Sequence, residues 1–449
     1  MVAGGAWLTL SFALPAARAS TYQRTSIEEI AAGIERHIAE MTEADGGYFK
    51  LKHGDKELQL KLVRIHMEYL ADLGDGVQFA CVDLVGTDGP IYDVDFFMKG
   101  EPGGGLTVTE TTVHKVNGQP VYVWEQGPDD SWFRVAVTNA SNRLLGVVSG
   151  EDEFEFTYRA TLPELSGPAQ IWLPLAQSDD FQLVEVLRID SPTPGRQLED
   201  HEHGNKVLYL TAGPADSGNR IEIQYRIRRR EKSPYAVADP SPQKYLEPEI
   251  LVPRNETFRA IARELAVDKA SDLMRARALY DHVIEEVRYA RFGSGWGQGD
   301  AVYACDARSG NCTDFHAYFI ALARAIDIPA RFAIGASIPS ERDDGGMDGY
   351  HCWAEFFADG QWWPVDISEA DKNSSLATYY FGHHPANRIE LSQGRDLVVE
   401  PGPTSGPINF LAFPVLEVEG RLVKAPTEFL FRRMGKGLRG DSEHGVGTL

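Results

Sequence analysis

The sequence predicts an α+β multidomain chain: a helix laid on an antiparallel sheet, a β-sandwich, and a mixed unit in which a cysteine opens an amphipathic helix. Three observations carry this. Ile27, Ile30, Ile34, Ile38 and Met41 keep a helical period, and alternating runs follow, Leu58, Leu60, Leu62 and Tyr92, Val94, Phe96, Met98. Residues 127–232 hold short β-rich runs parted by Gly, Pro, Asp and Ser. Residues 308–331 set a Gly-containing turn before Cys312 and then a buried stripe of Phe315, Phe319, Leu322 and Ile326.

A chain of 449 residues has room for two to four domains. Its 43% hydrophobic and 24% charged content is that of a globular protein. A formal charge of −22 argues against a nucleic-acid surface or an anionic membrane patch as partner. Residues 1–19 read as an export signal: an apolar run from Ala6 to Leu14, Pro15, then Ala17-Arg18-Ala19 before Ser20. No other stretch approaches about 18 apolar residues, so no transmembrane span is expected after cleavage, and the location expected is periplasmic or extracellular. The four cysteines, Cys81, Cys305, Cys312 and Cys352, are too few for a disulfide scaffold. A Cys305–Cys352 bridge is compatible with export but not deducible.

Residues 20–126 read as one helix on a four- or five-stranded antiparallel sheet. Thr25-x-x-Glu28 gives a capping box and Asn117-Gly118 a two-residue hairpin turn. No chemistry is expected there, only binding or tethering. Residues 127–232 carry sandwich strands at 133–137, 153–160, 171–175, 181–189, 207–210 and 221–227. The proline-rich segment 233–248 is an extended connector. Residues 249–400 form the core, with helices at 256–267 and 271–287, the loop FGSGWGQGD, the cysteine helix, a strand at 331–338 and an acidic mobile loop at 339–349. Residues 401–449 are an extension, disordered after Pro426.

Cys312 stands at the start of a helix that Asn311 caps and to which Asp314 adds a first-turn anion. A helix terminus and a cationic partner lower a thiol pKa from about 8.5 toward roughly 4–7. The partner comes from 350–366, YHCWAEFFADGQWWPVD. With Asp359-Gly360 as a two-residue turn, Phe357 opposes Trp362 and Trp353 opposes Asp366. Strand alternation then brings His351 and Asp366 into diagonal reach and sends Cys352 to the other face as a structural thiol. The reading is a nucleophile Cys312, a base His351 and an orienter Asp366. Glu355, the rival orienter, lies roughly 13 Å further along the strand. Trp353 and Trp362, with Phe357, are expected to shield the cleft.

No metal and no cofactor are expected. His201 and His203 lie between turn residues without further ligands, and Cys312, His316 and His351 lack the close ligand pairs that mark zinc sites. His383-His384 reads as surface or cleft rim. The Gly-rich loop fits no phosphate motif.

GNCTDFHAYFIALARAIDIPARF, GYHCWAEFF and WWPVDISEA together resemble the bacterial transglutaminase-like superfamily, and YRATLPELSGPAQIWLPLAQSDDFQ and FGHHPANRIELSQGRDL are similar to segments flanking its core. The resemblance covers about residues 155–400. It implies a papain-like core, with Cys312, His351 and Asp366 catalytic. Such a site needs two oxyanion donors. The Cys312 amide is one; Tyr289, Gln298 and Trp296 are candidates for the other, Tyr289 ahead of Gln298. The resemblance implies an exported cysteine acyl-transfer enzyme acting on protein or peptide amides. The alternatives are a non-catalytic envelope scaffold, or an arylamine acetyltransferase-like enzyme if the chain is cytosolic. The sequence leaves oligomeric state open.

Overall fold

A computed structural model describes residues 25–434 apart from 68–69, 75, 88, 101–102, 127–131, 137–145, 238–240, 292–294, 341 and 348. The export-like residues 1–19 lie outside the described residues.

Helix α1, Ile27–Ala44, buries Ile30, Ile34 and Ile38. Its capping box is Ser26–Glu29, one residue beyond the expected pair, because Ser26 has the extended backbone a cap needs and the Thr25 amide bonds Asp72 instead. Met41, expected on the buried stripe, is exposed at the helix end. The sheet beneath has seven strands rather than four or five, since residues 71–74 and 119–120 add short edge pairs. Tyr92, Val94, Phe96 and Met98 pack under α1, while the other face of this sheet carries buried polar residues. Asn117 and Gly118 both have positive φ, as a type I′ turn requires.

Two five-stranded sheets make the sandwich. One runs Gln182–Asp190, Arg220–Arg230, Glu151–Thr161, Thr427–Arg433, Asp344–Met347. The other runs Arg196–Glu199, Lys206–Ala212, Ala169–Leu175, Val415–Val418, Arg421–Val423. The sandwich is therefore not contiguous in sequence. Thr427–Arg433, expected to be disordered, is an inner strand in which Phe429 and Phe431 are buried against Phe156 and Tyr158. Its inward residues alternate, but over one short strand flanked by Arg and Gly the period is easily missed. Residues 344–347, expected in a mobile loop, pair with it. The run near 133–137 does not join the sandwich: Trp132–Ala136 pairs with Tyr122–Gln126.

The core follows. Helices α2, Glu256–Ala266, and α3, Asp272–Glu286, start at side-chain caps from Asn255 and Ser271. Helices α4, Ala301–Ala307, and α5, Cys312–Ala325, lead to a four-stranded sheet ordered Gln361–Val365, His351–Ala358, Ala330–Ser337, Arg388–Gln393. Helix α5 is buried along its whole length, between α2 and α3 and the sheet face bearing Cys352, Ala354 and Phe356. A short helix α6, Ile367–Lys372, leaves the hairpin.

The proline-rich connector is a strap packed on the core. Tyr235 bridges to Trp362, and Tyr245 is buried against it. Beside it Lys232, at the end of a sandwich strand, donates to Glu355 (2.9 Å) and Glu390 (3.0 Å) of the core sheet, and Arg331 donates twice to Glu355. Glu355 is fully spent in this buried cluster.

If the C-terminal strand is integral, Phe429→Ala should cost about 3–5 kcal/mol, the usual range for a buried Phe. Urea unfolding checks this; a loss under about 1 kcal/mol would make the strand peripheral.

Candidate active site

Helix α4 ends at Arg308, in left-handed conformation, and the chain runs through Ser309–Gly310, paired in parallel with Arg288–Tyr289, into α5. A Cβ on Gly310 would stand 2.4 Å from Asp314 Cβ, so only glycine lets the turn lie this close to the helix. The Asn311 side chain accepts from the Thr313 amide (2.9 Å). Asp314 accepts from three amides, Asn311 (2.9 Å), Gly297 (2.7 Å) and Gly299 (3.0 Å). It thus ties the Gly-rich loop to the helix start, beyond the first-turn charge expected from sequence. Burial, outweighing those bonds, raises its pKa.

The hairpin has the expected register. Asp359 and Gly360 both have positive φ, and Phe357 pairs with Trp362 and Ala354 with Val365. Asp366 falls just past the ladder and becomes the N-cap of α6. Its two oxygens divide the work. Oδ1 accepts from the Glu369 amide and the Ser368 hydroxyl (3.3 Å each), and Oδ2 accepts from His351 Nε2 at 2.7 Å. Burial opposes ionisation, but the charge and hydrogen bond of His351, with Arg388 and His316 nearby, hold the Asp366 carboxyl well below the usual range.

The bond to Asp366 takes His351 Nε2, and His351 and the Cys312 side chain shift each other's ionisation. Burial would lower its pKa, yet Asp366 and Cys312 push it up to about 9. The Cys312 thiol is held well below its ordinary value, first by a hydrogen bond from Cys352, then, against burial, by His351. Cys352, expected to be an inert structural thiol on the far face, touches the Cys312 side chain and keeps its own proton, chiefly through burial. The face it occupies is the one against which α5 packs. Cys312 is 2% and His351 6% exposed, so the pair is almost wholly shielded from solvent. All four cysteines are free thiols, and Cys305 is not bridged to Cys352.

His316 is the residue that sequence reasoning placed least well. Its Nδ1 bonds the Cys312 carbonyl (2.7 Å) and its Nε2 accepts from the Ile367 amide (3.0 Å). Burial lowers its pKa and keeps it neutral. Both nitrogens are occupied, so it offers no lone pair to a metal; it ties the start of α5 to the residue after Asp366. Its spacing of four from Cys312 is visible in the sequence, but its partner on α6 is not.

Other expectations shift. Trp353 and Trp362 are wholly buried and line no cleft. Trp353 lies on His384, ring centroids 4.0 Å apart, and Arg331 covers the Trp362 ring at 4.0 Å. Both tryptophans point to the sheet face covered by strap and sandwich. His383 and His384 are buried, not at the surface; His384 Nε2 is 3.9 Å from Asp366 Oδ2 and is kept neutral mainly by burial. Tyr289 is half-buried beside the Cys312 turn and senses the Cys312 charge, after burial, as a raised pKa. Gln298 is exposed, its carbonyl bound by Arg395 and Asn409, and Trp296 is half-buried.

His351→Ala removes the cationic partner of Cys312 and should raise the pKa of its thiol. Iodoacetamide labelling of the Cys312 peptide at pH 6, followed by mass spectrometry, should slow on the order of 100-fold. The raised His351 pKa also links to stability: its contribution is complete below the unfolded value of about 6.5 and is lost as pH rises through about 9. Urea unfolding should find the advantage of wild type over His351→Gln shrinking across that window.

Residues 259–367 match the model of the transglutaminase-like superfamily, so the chain carries a transglutaminase-like core. An uncharacterized protein of Haemophilus influenzae is 24% identical over 336 residues, 64% of this chain and 91% of that protein. A Cytophaga hutchinsonii structure, provisionally designated a cysteine protease, is 16% identical with a TM-score of 0.44 and covers 64% of this chain and 99% of its own. The periplasmic domain of TgpA from Pseudomonas aeruginosa is 17% identical with a TM-score of 0.28, over 54% and 98% of the two chains.

Proposed function

We propose that this transglutaminase-like core is a working cysteine acyl-transfer centre, with Cys312 as nucleophile, His351 as proton shuttle and Asp366 as the orienting carboxylate. The observation that carries the reading is the 2.7 Å bond from His351 to the buried Asp366 carboxylate, with His351 lowering the pKa of Cys312, the first residue of a 14-residue helix. Its substrates are glutamine carboxamides or peptide amides.

The Cys312 thiolate attacks the amide carbonyl carbon, and the His351 imidazolium gives its proton to the departing nitrogen. Ammonia or an amine leaves and a thioester remains on Cys312. Neutral His351 then takes a proton from a lysine amine or from water as that group attacks the thioester, which restores thiolate and imidazolium. The oxyanion is bound by the Cys312 amide, among the helix-start N–H groups without intrahelical partners, and by the Tyr289 hydroxyl. Tyr289 is favoured because it lies beside the turn that carries Cys312 and keeps its proton; exposed Gln298 ranks below it.

Export is part of the proposal and rests on the pattern of residues 1–19; among the described residues no helix is long and apolar enough to cross a membrane. One observation favours the scaffold alternative, the near-complete burial of Cys312 and His351. Slow alkylation of Cys312 at pH 6 would support that alternative.

The test is mass spectrometry of a glutamine-containing protein incubated with the enzyme and a primary amine, in which amine addition, deamidation and backbone cleavage are separate products. Cys312→Ala should abolish whichever appears, by at least about a thousandfold. Asp366→Asn should lower kcat on the order of 10⁴-fold through the wrong imidazole tautomer. Unchanged products from Cys312→Ala would overturn the assignment.

A further inference from the structure

The sheet under α1 has a second face, turned toward the core, where titratable and metal-ligating side chains gather although no chemistry was expected of this unit. Strand register places Cys81 opposite Asp95 and Asp83 opposite Asp93, so a thiol and three carboxylates share this face. A slip in the neighbouring strand, between Asp93 and Val94, leaves His114 as the extra residue of a β-bulge. Bulges re-aim side chains, and this one brings His114 Nδ1 to 3.9 Å from Asp93 and 3.7 Å from Asp95. His66 enters from the end of residues 56–65, its amide bonded to the Cys81 carbonyl and its Nε2 3.0 Å from Asp83. The Cys81 thiol donates to Asp93 Oδ1 at 2.9 Å.

We propose that this face is a zinc-class metal site, with His66, Cys81 and Asp93 as ligands and the fourth position filled from the Asp95–His114 pair. Donor atoms of His66, Cys81 and Asp93 lie within 4.8 Å of one another, as do those of Asp93, Asp95 and His114, and Asp93 belongs to both sets. Tetrahedral zinc, with bonds of about 2.0–2.3 Å, needs ligand atoms roughly 3.3–3.6 Å apart, which modest side-chain adjustments supply. Mixed sulfur, imidazole and carboxylate donors suit zinc and not calcium or magnesium, which take oxygen.

The charges agree. Three carboxylates, Asp83, Asp93 and Asp95, face two cations, Lys115 on Asp93 (2.9 Å) and Arg277 on Asp83 (2.8 Å). A divalent ion that displaces the Cys81 proton to solvent brings the sum to neutrality, with no change of oxidation state. Arg277 belongs to α3, where it also binds Asp281 and covers Tyr280 and Phe381. The ion would therefore sit behind the carboxylate layer that joins the sheet to the core. It is a closed structural site, independent of the acyl-transfer reading.

The experiment uses the full chain in a Cys312→Ala background, which removes the reactive thiol. The protein is stripped with chelator, checked for folding by near-ultraviolet circular dichroism, and titrated with cobalt(II). The expected result is one cobalt per chain with a thiolate-to-cobalt charge-transfer band, displaced by zinc. Cys81→Ser should remove the band. If that variant does not fold, His114→Gln and His66→Gln should each weaken cobalt binding, and at least one by tenfold or more. Folded protein that takes up no stoichiometric cobalt, or a band that survives Cys81→Ser, would overturn the proposal and leave the cluster an internal ion-pair network.

Discussion

The Asp366 carboxylate is the constraint on which the site depends. It ends the hairpin, caps α6 with one oxygen and holds His351 with the other. A carboxylate in that position is fixed by a turn, a strand ladder and a helix start at once, so its geometry is inherited from backbone structure and not from a side-chain rotamer alone. His316 adds a second fixture by joining the Cys312 carbonyl to the Ile367 amide. The segments that carry Cys312 and Asp366 are thus joined by a neutral imidazole as well, one that donates its Nδ1 proton to the Cys312 carbonyl and accepts from Ile367 at Nε2.

The hairpin register and the approach of His351 to Asp366 were legible because each part is a local signal. Asn311 before Cys312 marks a helix start, Asp359-Gly360 fixes a register, and a two-residue period assigns faces. What escaped needed tertiary information. Cys352 was assigned to the correct face of its strand, but only the packing of α5 on that face makes it a neighbour of Cys312. Trp353 and Trp362 look like cleft residues until His384 covers the first and the strap at Tyr235 and Tyr245 the second. His114 is turned onto a buried face by a bulge that leaves no mark in hydrophobic periodicity.

The Lys232–Glu355–Glu390–Arg331 cluster joins sandwich, strap and core through direct, buried ion pairs. Ions taken out of solvent are costly unless fully paired, and pairs of this kind give specific docking more readily than net stability. Glu355 lies four residues from His351 on the same strand, so the docking of the sandwich fixes the strand that carries His351.

The sandwich encloses the core in the order of synthesis. Phe156 belongs to an early strand and Phe431, its partner, to the last described one, with the entire thiol-bearing core between them. Pairings this distant in sequence form slowly, since the loop must close before contact rewards it. Closure of the sandwich is therefore a late event, timed by arrival of the C-terminal strand.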